Sequence, residues 1–432
     1  MYPNSQNPFV VGTPIVPERF VGRNSLIAAA FDQIHHRSHL AVWGGLGTGK
    51  TSFLVKLASP DTWKQHGLDS SIAVIVRFSC EEVEPFTPSG FWKKLLSLLK
   101  DNLDTEPELQ AKINTLITES RASRDSLRQL LGELAQRGKF LVLLVDDYDV
   151  ALTQSQEYSQ ENVQQFLSEC RNLAVYSEPK RNLSIIVTSK KRLNDLGPRL
   201  NPNASPWYNH YLFRQIKPFD HTEIEQLLQP FNKPITTELR QAIEEIAGGH
   251  PSLLQIASFL VYQELRNNTS PQVEEFVREF ESSTQQFFDS TWQRCNNKDQ
   301  NLLMLMALAK LRGRLEKRRY DLKDVDLIFT QSERNLTNLE EQGVIKRTAN
   351  NGDISYLFTS SLMEKWVIQE IWNSDEDSLK KRQKEFLNLM SHQQAENMKN
   401  AIVWVGNHRK DVISSLKFIY PIVEKIISFF VV

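Results

Sequence analysis

The segment Gly44-Gly45-Leu46-Gly47-Thr48-Gly49-Lys50-Thr51 constrains this chain more than any other feature. It follows the apolar stretch Ser38 to Trp43 (SHLAVW) and opens the helical run Thr51 to Ala58, so a buried strand feeds a glycine-rich turn that starts a helix. The glycines let the backbone curl until successive N–H groups face one point, and the helix N-terminus adds partial positive charge there. Such a concavity binds a chain of phosphates. Gly44, Gly45, Leu46, Gly47, Thr48 and Gly49 form the cradle, with Ser52 next along the helix. Lys50 reaches the β- and γ-phosphates of ATP, and Thr51 offers its hydroxyl to Mg²⁺.

Further strands are expected at Ser71 to Phe78 (SIAVIVRF), Phe140 to Val145 (FLVLLV) and Leu183 to Thr188 (LSIIVT). Helical spacing of Phe91, Leu95, Leu98 and Leu99, then of Leu127, Leu130, Leu131 and Leu134, fills the gap between the second and third strands. Apolar β-branched strands alternating with helices predict an α/β fold: a parallel sheet with helices on both faces. Phosphoryl chemistry needs a carboxylate at the end of a neighbouring strand. Asp146 and Asp147 stand directly after FLVLLV, Asp146 on the metal side and Asp147 to polarise water, whereas Asp149 reads as part of an acidic loop. After LSIIV, Thr188 or Ser189 is expected near the nucleotide and Lys190 toward the γ-phosphate, the plainer reading of the lysines being a solvated basic loop.

The character changes after Pro218: residues 219–285 read as helical, and 299–372 as three helical runs with a hairpin signal at Asn351-Gly352-Asp353. With room for two to four domains in 432 residues, the expected division is an extended lead-in (1–16), a nucleotide-binding domain (17–217), a helical lid (218–290), a winged-helix domain (291–374) and a helical appendage (375–432).

A net charge of −1 removes any global attraction to nucleic acid or anionic lipid, so such binding needs a local patch. The best is Lys310, Arg312, Arg314, Lys317, Arg318, Arg319 and Lys323, offset by Glu316 and Asp321. It suits nucleic acid or an acidic partner, or is a solvated loop. The third helix of the winged-helix stretch carries Arg334 but also Glu333, Glu340 and Glu341, which repel phosphate. Cys80, Cys170 and Cys295 are far apart and read as inert thiols; with an N-terminus unlike a signal peptide, they point to the cytoplasm. His35, His36 and His39 read as a solvated helix end. The tail Val412 to Val432 is interrupted by Lys417, Glu424 and Lys425, which favours a helix packed on this or another subunit over a membrane-seeking one.

Around this core the chain resembles a known class. Glu18-Arg19-Phe20-Val21-Gly22-Arg23 resembles the opening "hhGR" motif of AAA+-related ATPases, which implies that Val21, Gly22 and Arg23 cup the adenine. Gly248-Gly249-His250-Pro251-Ser252-Leu253-Leu254 resembles the G-x-P signature in the lid of STAND ATPases, the signal-transducing class that includes NB-ARC and NACHT switches; there the proline packs on the adenine, which implies the same for Pro251, with Gly248 and Gly249 letting the backbone come close to the base. Asp146-Asp147 and Thr188-Ser189-Lys190 resemble the NB-ARC pattern LDD…TTR, with Lys190 in place of Arg. The resemblance spans about residues 17–372. It departs at Tyr356 to Lys365, which has no His to hold the ADP β-phosphate. Arg171 and Arg181 lie where such proteins often keep an arginine finger, but the favoured reading is a salt-bridged surface Arg.

The resemblance implies a slow, regulatory Mg²⁺–ATPase that changes conformation or oligomerises in signalling, plausibly in antiviral defence, with protein partners. The alternative is a DNA-handling AAA+ ATPase resembling origin-recognition proteins, its winged helix contacting DNA.

Overall fold

Five short strands pair side by side in the computed structural model, which describes residues 6–176, 181–198, 205–231, 237–267, 273–315, 320–350, 353–374 and 376–416. They are β1 (His39–Trp43), β2 (Ala73–Ser79), β3 (Phe140–Asp146), β4 (Leu183–Ser189) and β5 (Tyr211–Gln215), in the order β2-β3-β4-β1-β5 and parallel throughout. The register sets Ser79 beside Asp146 and Trp43 beside Ser189, so the C-terminal ends of β1 to β4 finish along one edge. Ligands of open parallel sheets bind outside that edge.

Alternation divides the two cores. Leu40, Val42, Val142 and Leu144 pack with Leu26, Phe31, Ile34, Phe53, Leu54 and Leu57, from the helices Asn24–His35 and Lys50–Ala58. Ala41, Leu141, Leu143 and Val145 face the other way, onto the helices Pro88–Asp101, Pro107–Thr118, Arg124–Gln136 and Gln160–Arg171. Both faces of β1, β3 and β4 are thus buried, which is why these strands read as unbroken apolar runs. Leu98 is only partly buried, and Trp92 and Leu96 take the buried positions beside it. The edge strand Tyr211–Gln215 carries no strand signal in the sequence: only Tyr211 is buried, so neither alternation nor an apolar run marks it.

These strands belong to a compact unit of Pro14–Gly45 and Gly49–Ile216. A second unit gathers Met1–Thr13, Leu46–Thr48 and Lys217–Val432. Its helices His221–Leu228, Thr237–Ala247, Pro251–Asn267 and Val273–Arg294 precede a capped break, where the Asn296 side chain accepts the Asp299 N–H and starts the helix Asn297–Arg314. Val325–Gln331 and Glu333–Glu341 follow, then an antiparallel pair, β6 (Ile345–Asn350) and β7 (Asp353–Phe358). The turn residues Asn351 and Gly352 lie outside the described residues, as do Lys417 onward in the apolar tail. Among the described residues no helix is long and apolar enough to cross a membrane.

Three residues of the expected basic patch have other work inside this unit. Lys310 and Arg314 both pair with Glu364 on the helix Ser361–Trp372, at 2.7 and 2.5 Å, and that carboxylate is fully buried. Arg312 pairs with Asp321 at 3.1 Å. A buried carboxylate demands such partners, so Lys310 and Arg314 join the helices Asn297–Arg314 and Ser361–Trp372, and all three cations are engaged in ion pairs. Lys317, Arg318 and Arg319 lie outside the described residues.

The expected solvated helix end holds for His35 and His36, but not for His39. It is the first residue of β1 and is 4% exposed. Its Nδ1 accepts the Ile185 N–H at 3.0 Å, so the proton sits on Nε2, 3.4 Å from the Ala174 carbonyl. His210 meets it edge-on at 5.5 Å between ring centroids. Burial lowers the His39 pKa to about 4 and, with His39 as its neighbour, that of His210 to about 3. Both are neutral in the folded unit, while the unfolded chain protonates its histidines near 6.5. Stability therefore falls as pH drops from about 6.5 toward 4. Thermal unfolding across that window should show a melting temperature that declines, and less steeply in His39→Asn, whose amide oxygen can still accept the Ile185 N–H; equal slopes in the two proteins would refute the assignment.

Candidate functional site

The loop after β1 is anchored at its root, where the Gly44 N–H donates to the Ser189 carbonyl at 3.2 Å. Gly47 and Gly49 then take left-handed conformations, φ +67° and +96°, and Gly49 caps the helix Lys50–Ala58. A side chain would be strained at either position. The Lys50 side chain folds back along the loop and donates to the carbonyls of Gly44 (3.0 Å) and Gly45 (2.9 Å). Burial lowers its pKa, while Asp146, Asp147 and Asp149 act to keep it charged. An ammonium in that position favours a polyanion that can supply stronger partners than two amide carbonyls.

The sheet edge brings Asp146 to the same place. Its Oδ2 accepts from the Thr51 hydroxyl at 2.5 Å, and its Oδ1 accepts from both the Thr188 hydroxyl and the Asp147 N–H, the latter at 3.1 Å. Thr51 comes from the helix, Asp146 from β3 and Thr188 from β4. The three meet because β4 lies between β1 and β3. A hydroxyl and a carboxylate are hard oxygen donors, and Mg²⁺ takes one or two such protein ligands, completing its shell with water and phosphate. Thr51 and Asp146 therefore fit that ion.

Asp147 leaves the strand with φ +47° and ψ +42°, a left-handed conformation. Oδ2 accepts from the Ser79 hydroxyl at 2.8 Å, at the end of β2. Burial raises the Asp147 pKa, as does Asp146, while the Ser79 hydrogen bond lowers it. No motif marks Ser79 in the sequence; the β2–β3 pairing alone places it beside the aspartates.

Lys190 is held by Asp149, whose Oδ1 accepts its N–H at 3.2 Å and whose Oδ2 lies 3.1 Å from its ammonium; Glu81 stands 3.5 Å away. Asp149 is itself buried, so it is a fixed partner at the strand ends and not a loose acidic loop. Ser189 turns its hydroxyl onto the Lys191 carbonyl at 2.6 Å. The Ser52 hydroxyl accepts the Ile15 N–H at 3.0 Å.

Gly22 and Arg23 are consecutive left-handed residues, φ +64° and +60°, at the start of the helix Asn24–His35. Val21 is partly buried, Arg23 is buried, and the Arg23 carbonyl accepts the N–H groups of Leu26 and Ile27. Pro251 begins the helix Pro251–Asn267 and is buried. The glycines before it, at φ +60° and +75°, have a different cause from the expected approach to a base. A Cβ on Gly248 would sit 1.7 Å from the Thr359 carbonyl oxygen, and one on Gly249 2.6 Å from that of Phe219. Protein backbone fills the space.

Residues 33–196 match a family model described as an AAA domain. No curated protein sequence matches the chain. Among solved structures, the Walker-type ATPase PABY2304 of Pyrococcus abyssi superposes with a TM-score of 0.55 and 15% identity, over 83% of this chain and 99% of that one. The ORC2 protein of Aeropyrum pernix, in its ADPNP–ADP complexes, overlaps more loosely: TM-score 0.46, 11% identity, 85% and 98% coverage. Together with the strand order and the Lys50–Thr51–Asp146 geometry, the family match identifies residues 33–196 as an AAA-type P-loop ATPase domain.

Proposed function

We propose that the protein binds ATP with Mg²⁺ at the Gly44–Thr51 loop and hydrolyses it slowly, as a conformational switch. The observation behind this reading is the Asp146 carboxylate, joined to Thr51 and Thr188 at the sheet edge where the Lys50 loop begins. Thr51 and Asp146 would hold the ion, which when bound neutralises charge between the phosphates. Lys50 would give up the Gly44 and Gly45 carbonyls for phosphate oxygens. Asp147, positioned by Ser79, would orient water and accept its proton. Thr188 would act through Asp146, and Lys190 would leave Asp149 to meet the γ-phosphate. Val21, Gly22, Arg23 and Pro251 are assigned to the adenine from their motifs.

The output we propose is a STAND-type one: nucleotide exchange changes the lid (218–290) and drives association with partners or with further copies, in signalling such as antiviral defence. A second reading draws on the order of elements in 291–374, three helices followed by the β6–β7 ladder, which suits a winged helix on DNA. ATP-dependent assembly without DNA supports the switch; salt-dependent DNA binding lost on charge reversal at Arg318 and Arg319 supports the second.

Lys50→Ala should weaken ATP binding at least about thirtyfold, because the phosphates lose a buried counter-charge. Calorimetric titration giving equal affinity in both proteins would defeat the nucleotide reading. Asp147→Asn should bind ATP within about threefold of wild type and turn over about 10²- to 10⁴-fold more slowly.

The pH profile supplies a further check. Asp147 must be ionised to accept a proton, so the rate should rise as pH passes the pKa that it has with Mg²⁺ and ATP bound. Ser79→Ala removes the hydrogen bond that favours the carboxylate, and should move this acid limb to higher pH. A limb that stays in place would mean that another group titrates.

A further inference from the structure

The compact unit that contains the helix Pro251–Asn267 also contains Leu46, Gly47 and Thr48, the tip of the phosphate loop. Two side chains at the start of that helix bind the tip's carbonyls. His250 Nε2 lies 2.8 Å from the Leu46 oxygen, and the Ser252 hydroxyl donates to the Gly47 oxygen at 2.9 Å. A carbonyl only accepts, so Nε2 carries the proton. His250 is 3% exposed, and Phe287 packs against its ring at 4.7 Å between centroids. The approach is close: a Cβ on Gly47 would stand 2.4 Å from Ser252 Oγ and 2.9 Å from His250 Cε1.

Peptide planarity gives these contacts a consequence. In a trans peptide the C=O and the following N–H point in opposite directions. Fixing the Leu46 carbonyl toward His250 turns the Gly47 N–H the other way. Fixing the Gly47 carbonyl toward Ser252 does the same for the Thr48 N–H. Two donors of the loop are thereby oriented together, away from the helix, as an anion-binding cradle requires.

We propose that His250 and Ser252 are positioning residues for nucleotide binding: from the lid helix they hold the loop's carbonyls so that the Gly47 and Thr48 N–H groups are pre-set for phosphate. The proposal rests on the reading of Gly44–Thr51 as the nucleotide site and adds a second requirement, that the lid helix supports the loop. It also gives the lid a route to sense phosphate, since any shift of the helix turns the donors.

The test is ADP binding by titration calorimetry on the full chain, with the nucleotide-free melting temperature measured in parallel. His250→Ala and Ser252→Ala should each weaken ADP binding about threefold to tenfold, the range expected for loss of one neutral hydrogen bond. His250→Gln, which keeps an N–H donor, should recover most of the affinity. Ser252→Ala, at a partly exposed position, should melt as wild type does without nucleotide. Unchanged affinity in the double variant His250→Ala/Ser252→Ala overturns the proposal. So does a loss in His250→Gln equal to that in His250→Ala, accompanied by the same fall in melting temperature, because the imidazole is then only packing. A wild-type protein that takes up no ADP overturns the nucleotide reading along with it, whereas normal wild-type binding with a Lys50→Ala defect and no effect at 250 and 252 overturns this proposal alone.

Discussion

The arrangement of the sheet edge depends on one buried carboxylate. Asp146 ends a strand that is apolar along its whole length, and a charge there is tolerable only with several donors. Thr51, Thr188 and the Asp147 N–H provide them, and each comes from a different position around the edge. The carboxylate therefore ties the helix after the loop to β3 and β4. It also helps keep the buried Lys50 ammonium charged. The same contacts that satisfy the carboxylate in the folded chain place hard oxygen donors beside the phosphate cradle, so folding and site assembly share their interactions.

Much of this was legible in the sequence because two strong local signals coincide. Strands buried on both faces are unbroken apolar runs, and the loop's glycines and Lys50-Thr51 have a fixed spacing. What escaped the sequence was set by pairing across the sheet. Ser79 sits beside Asp146 only because β2 and β3 run in register. His39 looked like part of a histidine-rich helix end, and burial as the first residue of β1 makes it a neutral hydrogen-bond acceptor. Tyr211–Gln215 pairs with β1 through its backbone, and one buried side chain in five leaves little trace in composition.

Charge is harder still to read along the chain, since its meaning depends on the partner. Lys310, Arg312 and Arg314 are spaced as a basic face, yet two of them converge on Glu364, about fifty residues away and fully buried. Asp149 and Lys190 make the complementary case: an aspartate that reads as part of an acidic loop and a lysine expected toward the γ-phosphate form a pair at the strand ends. In both, a formal count of charges overstates what is offered to an outside ligand.

The glycines of the phosphate loop show the same limit from another side. Gly49 has φ +96° and open space where a Cβ would be, so its requirement is conformational. Gly47 has φ +67° and, in addition, Ser252 and His250 within contact of that Cβ position. Gly248 repeats the pattern against the Thr359 carbonyl, where the expected neighbour was a base. A motif records only that glycine is present. At Gly49 the local backbone is sufficient reason for it. At Gly47 and Gly248 the reason includes residues about two hundred and one hundred positions away, so those two glycines carry information about tertiary structure that the local motif leaves unread.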